Sequence, residues 1–233
     1  MAKKEQLRTL RSGTIINNNS SKMEKELIIA IKNCLDFVHS HYEVSLEHVT
    51  QIHLSEITKT LEKADPTVKY TFHKSTSTLK PDGGLLFLIS NDGRRFPILI
   101  SEAKRQGTND DREKEGLKKQ AKGNAIERLG KNVIGFRAMC SHEDIFPFVV
   151  FGQGIDFAPD SSILDRVSVI ALFNPLNRTT IRNEGVNNSL QRGSFYFRVE
   201  KWSVEEMSKI LIEIATESIE YYFAKYGEAT FSS

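Results

Sequence analysis

Cysteine is nearly absent from this 233-residue chain, with Cys34 and Cys140 the whole complement. Two thiols cannot staple a disulfide scaffold or fill a four-thiolate zinc site, and they suit a reducing cytosol. Excess charge is missing as well: 32 Lys and Arg stand against 30 Asp and Glu, a formal net charge of +2. Composition therefore excludes a polybasic binder of polyanions, and any phosphate contact has to come from local basic clusters. No apolar run reaches the roughly 20 residues of a membrane span, and the N-terminus lacks a signal-peptide core. An intracellular protein with no membrane association is expected. The six histidines show no metal-ligand spacing, and His39-Ser40-His41 fits helix-end polarity. Trp202 is the sole tryptophan and is read as core. Neither a Pro/Gly-rich linker nor an internal repeat divides the chain. One domain over residues 23–233 is expected, behind an N-terminal arm of residues 1–22.

What is present suffices for a sizeable core: 39% hydrophobic and 27% charged residues describe a globular domain. Leu27, Ile28, Ile31, Leu35, Phe37 and Val38 lie at helical spacing and predict an amphipathic helix over 24–38. Ser45 is read as opening a second helical stretch. Ser55–Leu61 predicts a third, stopped by Ala64-Asp65-Pro66. All three are expected on one face of a sheet. The polar stretch 70–79 is expected to be extended. Ile145–Phe151 predicts a buried, central strand, Val167–Phe173 another strand, and the alternation of Phe195, Phe197 and Val199 a later or edge strand. Asn174–Arg192 is expected to form a long loop able to reach a partner. Ser203 followed by Glu206 is a capping box opening a C-terminal helix with Met207, Ile210, Leu211, Ile214, Ile219 and Tyr222 inward.

The most informative stretch runs from Lys80-Pro81-Asp82-Gly83-Gly84 to Glu102-Ala103-Lys104-Arg105-Gln106-Gly107. Two apolar runs flank Asn91-Asp92-Gly93 and predict an antiparallel hairpin. Such a hairpin brings Asp82, before its first strand, to Glu102 and Lys104, at the end of its second. Glu102 and Lys104 are two apart on a strand and point to one side. Carboxylate oxygens suit Mg²⁺, which keeps positions open for water and phosphate. Lys104 either lowers the pKa of an attacking water or offsets charge building on a phosphate. From the residues alone, a plain ion-pair cluster and a metal site both stand. Asn124 followed by Glu127 is a capping-box variant that starts a helix. The two residues either cap each other or present a helix N-terminus to the major groove. There Asn suits adenine, Glu accepts from an exocyclic amine, and Arg suits purine acceptors.

Lys80-Pro81-Asp82-Gly83-Gly84, Glu102-Ala103-Lys104-x-Gln106-Gly107 and Gly123-Asn124-Ala125-Ile126-Glu127-Arg128, with Lys131-Asn132 after the last, resemble the motifs of the EcoRI restriction endonuclease family. They occur in that family's order and near its spacing, over about residues 78–132. The Pro-Asp…Glu-x-Lys pattern is also the signature of the PD-(D/E)xK nuclease superfamily. The resemblance implies an α/β fold with a mixed sheet of about five strands flanked by helices. It implies Asp82, Glu102 and Lys104 as catalytic residues, with Mg²⁺ held by both carboxylates and the Ala103 carbonyl. Asn124, Ala125, Glu127 and Arg128 become the readers of a central AATT, with Lys80 and Lys131 on the backbone phosphates. Gln106 matches a residue near the bases. Gln120 and Ala121 occupy the positions that help read the outer base pair, and the glutamine stands where the family has methionine. Leu176-Asn177-Arg178 resembles a downstream segment whose arginine contacts guanine. The departure at Gln120 leaves GAATTC and a relaxed AATT-centred site both open.

The implied partners are double-stranded DNA, a second copy of the chain in a homodimer, and a cognate DNA methyltransferase of the same system without direct contact. The implied setting is the cytoplasm of a prokaryote. Two rivals stand beside this reading: a repair or recombination nuclease of the same superfamily, and a non-catalytic DNA-binding module. Two segments keep open roles. The arm is either a mobile tail or a DNA clasp through Lys3, Lys4, Arg8 and Arg11. Residues 108–122 form either a solvated connection or a segment ordered by DNA.

Overall fold

Strands that are apolar on successive residues need cover on both faces, and that requirement organises this fold. The computed structural model describes residues 15–71, 74–106, 116 and 124–232. Its central sheet takes the order β1 (Ser45–Val49), β4 (Gly84–Ile89), β5 (Arg95–Arg105), β6 (Phe148–Gln153) and β7 (Ser194–Arg198). A two-stranded ribbon, β2 (Ile52–His53) with β3 (Thr78–Leu79), lies beside it. β1, β4 and β5 run antiparallel, whereas β5, β6 and β7 are parallel. The mixed α/β sheet expected from the sequence is therefore present.

Helices cover the two faces from different parts of the chain. α1 (Ile15–His41) and α5 (Val204–Tyr226) pack on one face, where Leu27, Ile31, Leu211 and Ile214 meet Leu86, Leu88, Leu99 and Phe151. α2 (Leu54–Ala64), α3 (Asn124–Met139) and α4 (Ser162–Ile170) pack on the other, where Ile57, Ile126, Leu129, Val133 and Val167 meet Leu85, Phe87, Ile100 and Val150. Each fully buried Leu, Val or Phe contributes roughly 1.5–3 kcal/mol, so the two clusters hold the layers together. Among the described residues no helix is long and apolar enough to cross a membrane.

Three sequence expectations need correction. Ser45 opens β1 rather than a helix: the segment pairs along β4, with Leu46 opposite Leu88 and His48 opposite Leu86, and sheet pairing overrides an incomplete cap signal. Residues 167–170 are helical, because Ile163, Val167 and Ala171 repeat every four residues and bury together behind the Ser161 N-cap. Their β-branched composition imitates a strand. α1 and α2 lie on opposite faces instead of sharing one, since β1 and β2 intervene and carry the chain across the sheet. α1 is already helical at Ile15, ahead of the expected residue 24, and residues 1–14 lie outside the described residues.

Other expectations hold. The hairpin turns at residues 91–94, with the Gly93 N–H donating to Ser90 O at 2.8 Å. Pro97 sits where the β4–β5 register shifts at Leu86/Phe87, a bulge that tolerates a residue without an N–H. Trp202 is buried and donates Nε1–H to Gly152 O at 3.0 Å. α5 starts with the expected capping box between Ser203 and Glu206.

Arg198 binds both oxygens of Glu206, at 2.8 and 2.6 Å, and the Ser203 N–H donates to it at 2.9 Å. The Arg198 hydrogen bonds foremost, then the Ser203 amide, hold the Glu206 pKa down at about 2. A carboxyl with a depressed folded-state pKa stabilises the fold above its ordinary pKa, and that contribution disappears as pH falls toward the folded value. Glu206→Gln is therefore expected to lower Tm at pH 7, with the deficit closing toward pH 2. Calorimetry over that range checks it, and a deficit independent of pH would sink the linkage.

Candidate active site

Local sequence builds the site at the carboxyl end of β5. The Gly83 N–H donates to Ser101 O at 2.9 Å, which lays the Pro-Asp-Gly-Gly turn against that strand. Glycine is required there by close packing: a Cβ at Gly83 would lie 2.2 Å from Ser101 Oγ and 2.5 Å from Ile31 Cδ1. From β1, His48 Nε2 meets Gly83 O at 2.9 Å and closes the turn from the other side.

Asp82 then stands over β5. The Asp82 N–H donates to Glu102 Oε2 at 3.1 Å, and the Ala103 N–H donates to Asp82 Oδ2 at 3.2 Å. Lys104 Nζ donates to Asp82 Oδ2 at 2.8 Å, to Ala103 O at 3.0 Å and to Glu102 Oε1. The hairpin thus unites all three residues singled out in the sequence, and Ala103 O with them. Two carboxylates and a carbonyl converge on one ammonium, a cation held by hard oxygen donors. The same oxygens suit Mg²⁺. Among the described residues no group of three His, Cys, Asp or Glu side chains is placed to hold a metal ion.

Glu102 is 2% exposed. Burial is the largest influence on it and pushes its pKa above the ordinary value, with Lys104 opposing and the neighbouring Asp82 charge adding to the rise. Burial also works against the Lys104 charge, but Glu102 and Asp82 together overcome it and raise the ammonium's pKa. The cluster is electrostatically crowded with carboxylates and receptive to positive charge.

α3 supplies the second half of the site. Ile126, Leu129, Val133 and Phe136 are buried on the sheet side, and this spacing leaves Glu127, Arg128 and Lys131 exposed. Asn124 is already helical where the described residues resume, and Ala125 is half-buried. Lys80 is exposed just ahead of the turn. Gln106 is buried where β5 ends, its N–H donating to Gln153 O at 3.0 Å.

Arg178 is exposed on the loop after α4. Its neighbour Asn177 donates its N–H to Phe195 O and accepts from the Phe197 N–H at 2.8 Å each. Lys104 pairs with Gly152, and Gly152 with Phe197. Asn177 lies along the outer edge of β7, so Arg178 and Lys104 belong to the same end of the sheet, about three strand spacings or roughly 14 Å apart. Gln120 and Ala121, like Lys3, Lys4, Arg8 and Arg11, lie outside the described residues.

Two contributors escaped the sequence reading. His48 sat in a presumed helix, and only strand pairing carries it to Gly83. Asn132 had no assigned role, yet its Nδ2 donates to Glu102 Oε1 at 3.1 Å. Its position one turn beyond Arg128 was a usable signal.

A sheet covered by helices on both faces, with an Asp/Glu-x-Lys cluster at the carboxyl end of its middle strand, is a restriction-endonuclease fold. Residues 11–228 match the family model described as "Restriction endonuclease EcoRI", and the chain belongs to that family. It is 30% identical to the type II restriction enzyme EcoRI of Escherichia coli, the match covering 76% of each chain. It is also 27% identical to the type II restriction enzyme RsrI of Cereibacter sphaeroides, with 73% of each chain covered.

Proposed function

We propose that this protein is a type II restriction endonuclease making Mg²⁺-dependent double-strand cuts in DNA at a palindromic AATT-centred site. GAATTC and a relaxed form such as RAATTY are the candidate sites, and the products carry 5′ overhangs and 5′-phosphates. The observation that carries this reading is the convergence of Asp82, Glu102, Ala103 O and Lys104 beside the outward-facing start of α3.

In this reading Asp82, Glu102 and the Ala103 carbonyl hold the metal. Bound there, Mg²⁺ acidifies a water and offsets phosphate charge. Lys104 would present its ammonium to that water or to the charge growing on the scissile phosphate. Asn124, Ala125, Glu127 and Arg128 read the central bases from the helix start, and Gln106, Gln120, Ala121 and Arg178 serve the flanks. Lys80 and Lys131 neutralise backbone phosphates. A palindrome matches a two-fold homodimer that places one site on each strand. Host DNA then needs protection by a cognate methyltransferase.

Digestion of a sequenced plasmid with Mg²⁺, followed by run-off sequencing of the ends, tests this. Discrete cuts 5′ of AATT are expected, and the flanking base emerges from the same experiment. Random nicking would replace this reading with a structure-specific nuclease, and no cutting in Mg²⁺ or Mn²⁺ with a DNA-binding module.

A further inference from the structure

The half-buried amide of Asn132 links the DNA-facing side of α3 to the proposed metal site. Four apolar positions lock the rotation of α3 against the sheet, so Asn132 has one direction available. It follows Arg128 by four residues and therefore shares its side of the helix. From Asn124 to Asn132 the helix rises about 12 Å, a single rigid element joining the reading end to the cutting end.

Among the described residues, Glu102 takes its hydrogen bonds from three protein donors. The Asp82 N–H serves Oε2, while Lys104 Nζ and Asn132 Nδ2 share Oε1. These donors differ in kind. A cation entering among the carboxylates competes with the Lys104 ammonium by charge, but it has no such quarrel with a neutral amide. Asn132 can go on holding Oε1 after Lys104 has let go.

On the reading given under Proposed function, we infer that Asn132 is a positioning residue: its amide orients Glu102 for the metal and makes that orientation depend on the seat of α3. The distances and the shared helix carry this inference. Hydrogen-bond partners of metal-binding carboxylates commonly contribute 10–100-fold to metal affinity or activity, so a comparable loss is expected without Asn132.

The test compares Asn132→Ala and Asn132→Leu with wild type, the second retaining side-chain volume without a donor. Metal-free binding to a duplex carrying the plasmid-identified site is measured beside single-turnover cleavage across a Mg²⁺ titration. Both variants are expected to bind within about 3-fold of wild type, within the context spread of a single contact. Both are expected to need more Mg²⁺ for half-maximal rate and to cleave about 10–100-fold more slowly at limiting Mg²⁺. Wild-type Mg²⁺ dependence in both, or a binding loss matching the cleavage loss, would overturn the positioning role. Glu102→Gln, run in parallel, separates the two levels. If it still cleaves, the site assignment itself has failed; if it is inactive while the Asn132 variants behave as wild type, only the present inference has.

Discussion

Glu102→Gln is expected to remove cleavage by at least about a thousand-fold, the upper scale for losing one preorganised electrostatic group, while leaving the protein folded and able to bind its site. The amide keeps the shape, but its single carbonyl oxygen can replace only one carboxylate oxygen, accepting either from the Asp82 N–H or from the Lys104 ammonium and Asn132, and it no longer brings negative charge to a metal. Stability is expected to change far less, because two effects oppose each other. Burial raises the folded-state pKa of Glu102, so its ionised form is penalised in the native protein relative to the unfolded chain. That penalty is full above the raised pKa and absent below the ordinary carboxylate range. At neutral pH this relief opposes the loss of the Glu102 charge that helps keep the buried Lys104 protonated, so the variant is expected to melt close to wild type, and the relief should shrink as the solution is acidified. Single-turnover cleavage, equilibrium binding and melting at several pH values decide the matter. Loss of binding together with cleavage would count against Glu102 as a residue of chemistry alone.

The second large effect is expected from Gly154→Ala, at the junction where β5, β6 and β7 end together. Gly154 has φ +133°, a conformation that costs a residue with a Cβ roughly 1–3 kcal/mol. Its Cβ would also lie 1.4 Å from Gln106 O and 2.5 Å from Gln106 C. Those are backbone atoms, so no rotamer change gives relief, and overpacking adds a further 1–3 kcal/mol or so. A total near 2–6 kcal/mol is a large share of the roughly 5–15 kcal/mol that holds a domain folded. The damage is also local to function, because Gln106 lies two residues beyond Lys104 and the displaced backbone belongs to the strand bearing Glu102. Urea denaturation should show a lower midpoint, and cleavage should weaken in the molecules that remain folded. A wild-type midpoint would mean that the strand ends can separate freely, contrary to their hydrogen bonding through Gly154 N and Gln106 N.

The family assignment bears on how these variants are read. Membership rests on a match over most of the chain, whereas the roles of individual residues rest on where the fold puts them. Glu102 and Asn132 illustrate the difference. One belongs to a motif visible as a string, and the other acquires a partner only when two elements meet.

Legibility in the sequence followed the range of the physics. Short-range signals were readable: an Asn-Asp-Gly turn between apolar runs defined the hairpin, Ser203 and Glu206 defined the start of α5, and Asp65-Pro66 ended α2. Because a hairpin returns the chain on itself, the meeting of Asp82 with Glu102 and Lys104 was readable too. The failures at Ser45 and Val167 share a cause. Each segment is ambiguous by itself, and its partner chose the outcome: β4 recruited the first into the sheet, while the packing of Ile163, Val167 and Ala171 beneath α3 made the second a helix.

By itself, then, the sequence determined the hairpin, its three charged residues and the outward face of the helix after Asn124, since each depends on neighbours within a turn or a strand pair. Only the tertiary structure decided that His48 braces Gly83, that Asn132 reaches Glu102, and that the Arg178 loop shares the sheet end with Lys104. These contacts join segments far apart in the chain, and their geometry follows from how two helical layers settle on one twisted sheet, which no local pattern encodes.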